Sequence, residues 1–352
     1  MENFIVTTDF TGGNGKVLEL REDFVRLEPD LRDTQTDWFY WAFCVEGAQG
    51  RSLVFDFGDK EWIGPFGPAV SHDLQNWHWL NGNSSGSRFT YSFSPQEERV
   101  YFAHNMLYLP DRFFAFARLH GLQVQELCVS EQGSRIPCLM LGEGEIKTVL
   151  TARHHCCEST GSYVLEGVLE AFIKKPIPDV SLFCVPFVDY DGVLRGDQGK
   201  NRFPHDHNRD YTRAQAAHYP SVAKIREYID THKVLFGFDF HSPYHAVDEF
   251  VFQVQKTWDR LDRLQHFGDL LKDSITNDSL QYDPAHDLKP DVGWNTVGTP
   301  TSSTYLLEGN ESCIAFSLET PYFGSSRDRF SQQKAVALGR CFTEAFRRYL
   351  SC

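Results

Sequence analysis

No excess of positive charge runs along this chain. Lys and Arg number 34 against 48 Asp and Glu, a net charge of −14, so the basic footprint that holds a phosphate backbone or an anionic lipid surface is missing. Nucleic acid and membrane are therefore excluded as expected partners. Long apolar runs are missing too: no stretch of about 18 apolar residues occurs. The opening MENFIVTTDF lacks a basic segment followed by an apolar run, the mark of an export signal. The nine cysteines are odd in number and scattered without a framework. That argues against a disulfide-stapled scaffold and for free thiols in a reducing compartment, with the cytoplasm as the expected location. Neither an internal repeat nor a low-complexity segment is present.

What is present is enough apolar material, 41% of 352 residues, to fill two compact cores. From Phe4 to about Tyr101 short apolar runs alternate with turn-rich breaks, as in TDWFYWAFCV and RSLVFDFG. Arg88 to Phe93 shows strict period-two alternation, which predicts a half-buried strand. This part reads as an all-β antiparallel sandwich. After YFAHNMLYLP the rhythm changes to apolar strands alternating with helical patterns, the signature of an α/β sheet covered by helices on both faces. Strands are expected at Ile146 to Arg153, Ser181 to Val188, Val234 to His241 and Cys313 to Leu318. Helices are expected at Ser159 to Lys174, Ser221 to His232, Phe250 to Ser274 and Phe330 to Leu350. In the first of these Val164, Leu165, Val168, Leu169 and Phe172 share one face, and Pro176 stops the helix. The boundary falls between Tyr101 and about Leu122, giving a sandwich over residues 1–112 and an α/β unit over 113–352.

The densest chemistry lies in TARHHCCEST, Thr151 to Thr160, which follows an expected strand and opens an expected helix. Open α/β sheets bind ligands at the carboxyl ends of their strands. His155 and Glu158 are three residues apart and can converge on one ion in a tight turn. A catalytic Zn²⁺ asks for a third protein ligand and an open position. His241, at the end of the strand in LFGFDFHSPYH, supplies it. His154 competes with His155, and His245 with His241. Cys156 and Cys157 read as small buried fillers that point away from the ion. Two further stretches add polar groups. RFPHDHNRDY places Asn208 beside Arg209, and a guanidinium is the usual clamp for a carboxylate. CIAFSLETPYFG ends an apolar strand on Glu319.

His155-Cys-Cys-Glu158, Asp206-His-Asn208-Arg209, Asp239-Phe-His241-Ser242 and Glu319, in that order, resemble the zinc carboxypeptidase family. The preceding sandwich, closing on YFAHNMLY, resembles the cytosolic carboxypeptidase branch; together the two likenesses span nearly the whole chain. The resemblance implies one zinc ion per chain held by His155, Glu158 and His241. It makes Asp206 the acid that orients the first histidine, Asn208 and Arg209 the pair that binds the substrate's terminal carboxylate, and Glu319 the general base. The substrate it implies is a peptide or small amide with a free C-terminal carboxylate. Family members also place an arginine between the Asp-Gly turn and the Asn-Arg pair. That interval holds Arg195, Lys200 and Arg202, and Arg202 is preferred.

Three departures stand out. The tyrosine that secreted members carry about two dozen residues before the base is absent, and VGWNTVGTPTSS offers Trp294 instead. The loop GTPTSSTYLLEGNES carries no Lys or Arg, whereas glutamate-trimming members have basic residues there. Cys156-Cys157 stands where that branch usually has Pro-Gly. Two other functions stay open. A related zinc deacylase of N-acyl amino acids would share these motifs. A non-catalytic binding protein would use the sandwich, with Trp77 and Trp79 as a platform for sugar unless they pack its core.

Overall fold

The computed structural model describes residues 4–82, 84–245, 251–276, 282–325 and 329–351. Ten short strands precede the first helix: β1 (Ile5–Thr7), β2 (Lys16–Leu20), β3 (Phe24–Glu28), β4 (Ala42–Glu46), β5 (Ser52–Asp56), β6 (Ala69–Ser71), β7 (His78–Trp79), β8 (Ser84–Ser85), β9 (Arg88–Ser92) and β10 (Arg99–Ala103). They form two five-stranded sheets, in the orders β1-β4-β10-β6-β7 and β2-β3-β5-β9-β8. Pairing is antiparallel apart from β3 with β5. Aromatic rings from both sheets fill the space between them: Phe43, Phe55, Phe89 and Phe102 lie with ring centroids 4.7 to 5.5 Å apart. The alternation read from Arg88 onward puts Phe89 in that core. Trp77 and Trp79 are buried, and Trp79 donates its indole N–H to the Phe330 carbonyl. They pack the sandwich against the second unit and present no open platform.

The second unit begins with α1 (Pro110–Leu119) and continues through β11 (Gln125–Val129), β12 (Arg135–Leu141), β13 (Ile146–Ala152), α2 (Ser159–Lys174), β14 (Val180–Val185), α3 (Tyr190–Arg195), α4 (Pro220–Thr231) and β15 (Val234–His241). It ends with β16 (Phe252–Gln255), α5 (Leu261–Ser274), α6 (Ser302–Gly309), β17 (Ile314–Glu319) and α7 (Gln332–Tyr349). Seven strands form one mixed sheet, β11-β12-β14-β13-β15-β17-β16, with β14, β13, β15 and β17 parallel. The four parallel strands are almost wholly buried, as befits a sheet covered on both faces. Val164, Phe172, Leu264 and Phe342 from α2, α5 and α7 share one core cluster, while Ile225 and Leu306 from α4 and α6 share another.

Helix α2 and strand β15 have the bounds expected from periodicity. The helix expected from Phe250 does not: residue 250 lies outside the described residues, Phe252–Gln255 is an edge strand, and α5 starts only at Leu261. In that stretch the period-two alternation Phe-Gln-Val-Gln governs, because it lets β16 pair antiparallel with β17.

Candidate active site

The carboxyl ends of β13, β15 and β17 meet at one place. Strand β13 stops at Ala152, and Arg153 turns the chain with φ +63°, a left-handed conformation that costs a non-glycine residue roughly 1–2 kcal/mol. Its buried guanidinium holds the turn, donating to the carbonyls of Cys156 and Tyr108. Helix α2 can then pack its first turn on the end of β15, because residue 161 is glycine: a Cβ there would sit 2.7 Å from the Phe240 carbonyl carbon. Glu158 thereby comes to His241.

Each of two buried imidazoles turns Nδ1 toward the Glu158 carboxylate, His155 at 2.8 Å and His241 at 2.7 Å. One donor atom from each of the three residues lies within 4.8 Å of the others. The outer nitrogens face carboxylates. His241 Nε2 is 2.7 Å from Asp239, and His155 Nε2 is 3.4 Å from Asp206, an ionic contact without hydrogen-bond geometry. A carboxylate behind each ring favours the tautomer protonated on Nε2 and leaves the Nδ1 lone pair facing inward. Two such nitrogens and a carboxylate, all buried, fit a divalent transition metal with room for a further ligand.

The electrostatics point the same way. Burial raises the Glu158 carboxyl, but His155, Lys200 and His241 outweigh it and hold it well below the usual carboxylate range. Burial lowers His241, yet Asp239 and Glu158 pull its pKa well above that of a free imidazole. The cluster of carboxylates therefore calls for positive charge at its centre.

His154, the neighbour in sequence, is fully engaged elsewhere: Nδ1 meets Asp239 at 2.9 Å and Nε2 the Tyr211 hydroxyl at 2.7 Å. His245 stacks on Phe39 with ring centroids 4.3 Å apart. Cys156 Sγ donates to the Asp197 carbonyl, and Cys157 Sγ lies 4.0 Å from the Tyr322 hydroxyl, so both thiols point away from the imidazoles. All the cysteines among the described residues are free thiols.

The remaining expected site residues gather around this centre, with one exception. Glu319 is paired in register with His241 on adjacent parallel strands, and among the described residues its buried Oε2 has no hydrogen bond. Burial raises its pKa; His241 opposes the rise and Glu158 adds to it. Asn208 Oδ1 is likewise buried without a hydrogen bond among the described residues, and Arg209 spends one N–H on the Asn208 carbonyl at 3.1 Å. The exception is Arg202. Its guanidinium is ion-paired with Asp189, with Asp197 at 3.0 Å and with Asp33 at 3.6 Å, so it is already committed to three carboxylates. Arg195 is bound to Asp197 and Gln132. Lys200 is the cation at the centre, with Nζ 3.2 Å from Glu158 and 3.4 Å from His155 Nδ1. Burial lowers its pKa, but Glu158, Glu319 and Asp206 leave it raised overall. Trp294 is exposed on the surface.

One residue escaped the reading of the sequence. Lys256, just past β16, is buried, and among the described residues its ammonium has no hydrogen bond or ion pair. Burial, then repulsion from Arg209, against attraction to Glu319, brings its pKa down to about 8. The only signal for it was the period-two alternation that ends at Gln255.

Residues 6–104 match the family model of the cytosolic carboxypeptidase N-terminal domain. An uncharacterized protein of Zymomonas mobilis is 28% identical over 67% of this chain and 67% of its own length. Cytosolic carboxypeptidase 2 of Xenopus tropicalis is 26% identical over 47% of this chain, and the match spans only 20% of that relative. Among solved structures, a metallo-carboxypeptidase from Burkholderia cenocepacia superposes with a TM-score of 0.82 at 19% identity, covering 99% of both chains.

Proposed function

We propose that this chain, a member of the cytosolic carboxypeptidase-like branch of the zinc carboxypeptidase family, removes the C-terminal residue of a peptide or peptide-like amide with one zinc ion per chain. The observation that carries this reading is the convergence of His155, Glu158 and His241 beside the unpartnered oxygen of Glu319. A zinc ion held by those three residues would supply Lewis acidity, lowering the pKa of a water and polarising the scissile carbonyl. Asp206 and Asp239 keep the two imidazoles in the ligating tautomer.

Glu319 takes the proton of the attacking water and passes it to the departing amine, a role suited to a carboxylate whose pKa burial has raised. Lys200 donates to the carbonyl oxygen as negative charge develops there. Arg209 and Asn208 bind the free terminal carboxylate, which selects the last residue of a chain. Lys256, whose ammonium has no ion pair among the described residues, adds a second cation near enough to Arg209 to be repelled by it. An acidic side chain on the released residue would satisfy that ammonium, whereas a neutral one would leave a buried charge unpaired.

The test compares a short peptide ending in glutamate, its C-terminal amide and an N-acyl glutamate. The free peptide should lose its last residue, stop doing so on chelation and resume with added zinc, while the amide stays intact. Cleavage of the amide at an equal rate would overturn the exopeptidase reading. Faster hydrolysis of the N-acyl amino acid would favour a deacylase.

A further inference from the structure

The segment that carries Lys200 lies in no helix or strand; it runs from the end of α3 to a 3-10 turn at His207–Arg209. Its conformation is imposed from outside, by the loop between β3 and β4 of the sandwich. Asp33 is buried in that loop and accepts from two consecutive backbone amides, Gln198 N at 2.9 Å and Gly199 N at 2.8 Å. These are the two residues before Lys200. The Gln198 side chain is gripped at both ends by the Tyr40 backbone, at 2.9 and 2.8 Å. On the other side of the lysine, Phe203 N donates to the Asp33 carbonyl at 2.9 Å. Gly199 has φ +75°, and a Cβ on it would sit 2.4 Å from Cys156 N. The loop is thus pressed against the turn that carries His155 and Glu158.

The sandwich also reaches the ammonium. Lys200 Nζ lies 5.7 Å from the ring centroid of Trp38, within range of a cation–π contact. Trp38 in turn is stacked on Phe39 at 4.8 Å and meets Tyr244 edge-on at 5.4 Å. Backbone and head group of the lysine are therefore both held by residues 33–40.

We infer that the sandwich is a working part of the active site, with Asp33 as a positioning residue that sets Lys200 against the scissile carbonyl and Trp38 as the support of its ammonium. The inference rests on the role given to Lys200 above. Asp33 holds the backbone at two points on one side of the lysine and at one point beyond it, so losing its carboxylate frees Gln198 and Gly199 together. A displacement of about 1 Å in a group that stabilises developing charge costs on the order of 100-fold in rate. Arg202 keeps Asp189 and Asp197 as partners when Asp33 is neutral, so the fold around it is retained.

The experiment is a double-mutant cycle of Asp33→Ala and Lys200→Ala on the zinc-loaded full chain, with hydrogen–deuterium exchange on the metal-free protein. Lys200→Ala should lower kcat with little change in KM. Asp33→Ala should lower kcat roughly ten- to hundredfold in the wild type and have no further effect when Lys200 is already alanine. In the metal-free protein, the Gln198 and Gly199 amides should exchange faster in Asp33→Ala while β13 and β15 stay protected. Asp33→Asn, which keeps one acceptor oxygen, should recover part of the rate. An undiminished kcat in Lys200→Ala overturns the role of the lysine. A drop in Lys200→Ala with additive losses in the double variant, or unchanged exchange at residues 198 and 199, overturns the role of Asp33.

Discussion

The two halves of the site are built on opposite principles. On the metal side the carboxylates are shared: Glu158 lies between two imidazoles, and Asp239 faces both His154 and His241 while also accepting from Thr151 and Ser302. On the substrate side the polar groups are left open among the described residues, with Asn208 Oδ1 and Glu319 Oε2 buried without hydrogen bonds and the Lys256 ammonium without an ion pair. A buried unsatisfied group costs about 1–3 kcal/mol, so the second arrangement is a standing destabilisation. The difference teaches which half is preorganised by the fold and which is completed by a ligand. The imidazole–carboxylate centre is held ready for a cation, and under the proposed function the pocket beside it would be completed by the carboxylates of a substrate.

That contrast can be broken from either side. The largest effect is expected for Glu158→Ala, which removes a ligand and leaves Lys200 and both imidazoles without their shared carboxylate. Stoichiometric zinc binding, measured by metal analysis, should be lost, and hydrolysis should fall by roughly 1000-fold or more. Arg209→Ala leaves the metal centre intact, so zinc content should be unchanged while kcat/KM falls by about 100-fold, in line with the loss of one partner of a buried charge pair. Asp206→Asn should weaken zinc affinity roughly 10- to 100-fold in a competition titration, because it loosens His155 without removing it.

The smallest effect belongs to Lys256→Met. It should leave rates on a peptide ending in a neutral residue nearly unchanged and cut the preference for an acidic one about tenfold. It should also raise Tm by a few degrees, since it deletes a buried unpaired charge. The pH dependence has a definite sign. The Lys256 ammonium, with its pKa near 8, is charged below that value. Selectivity for acidic residues should therefore be present at lower pH and fade as pH rises through about 8. A preference that stays flat across that range would remove Lys256 from the pocket.

How much of this was legible in the sequence depends on how local each determinant is. Helix Ser159–Lys174 and strand Val234–His241 were readable because their apolar spacing follows one period from end to end. His155, Glu158 and His241 stood out because strand ends in a parallel sheet carry ligands. His155 was read as the ligand with His154 as its competitor, since adjacent residues differ only in the direction a left-handed Arg153 sends them. The cation was not legible: Arg202 and Lys200 are two residues apart, and only the buried carboxylates of Asp33, Asp189 and Asp197, far apart in the chain, engage the arginine. Lys256 was hidden because its position depends on β16 lying beside β17, a tertiary pairing that overrides the helical pattern around it.

The most direct test of a preformed metal centre beside an open catalytic pocket is zinc stoichiometry and peptide hydrolysis measured together on wild type and Glu319→Gln. One zinc per chain is expected in both, with hydrolysis in the variant reduced roughly 100- to 10,000-fold. A Glu319→Gln protein that hydrolyses at the wild-type rate, or a wild-type chain that binds no zinc, would contradict the account.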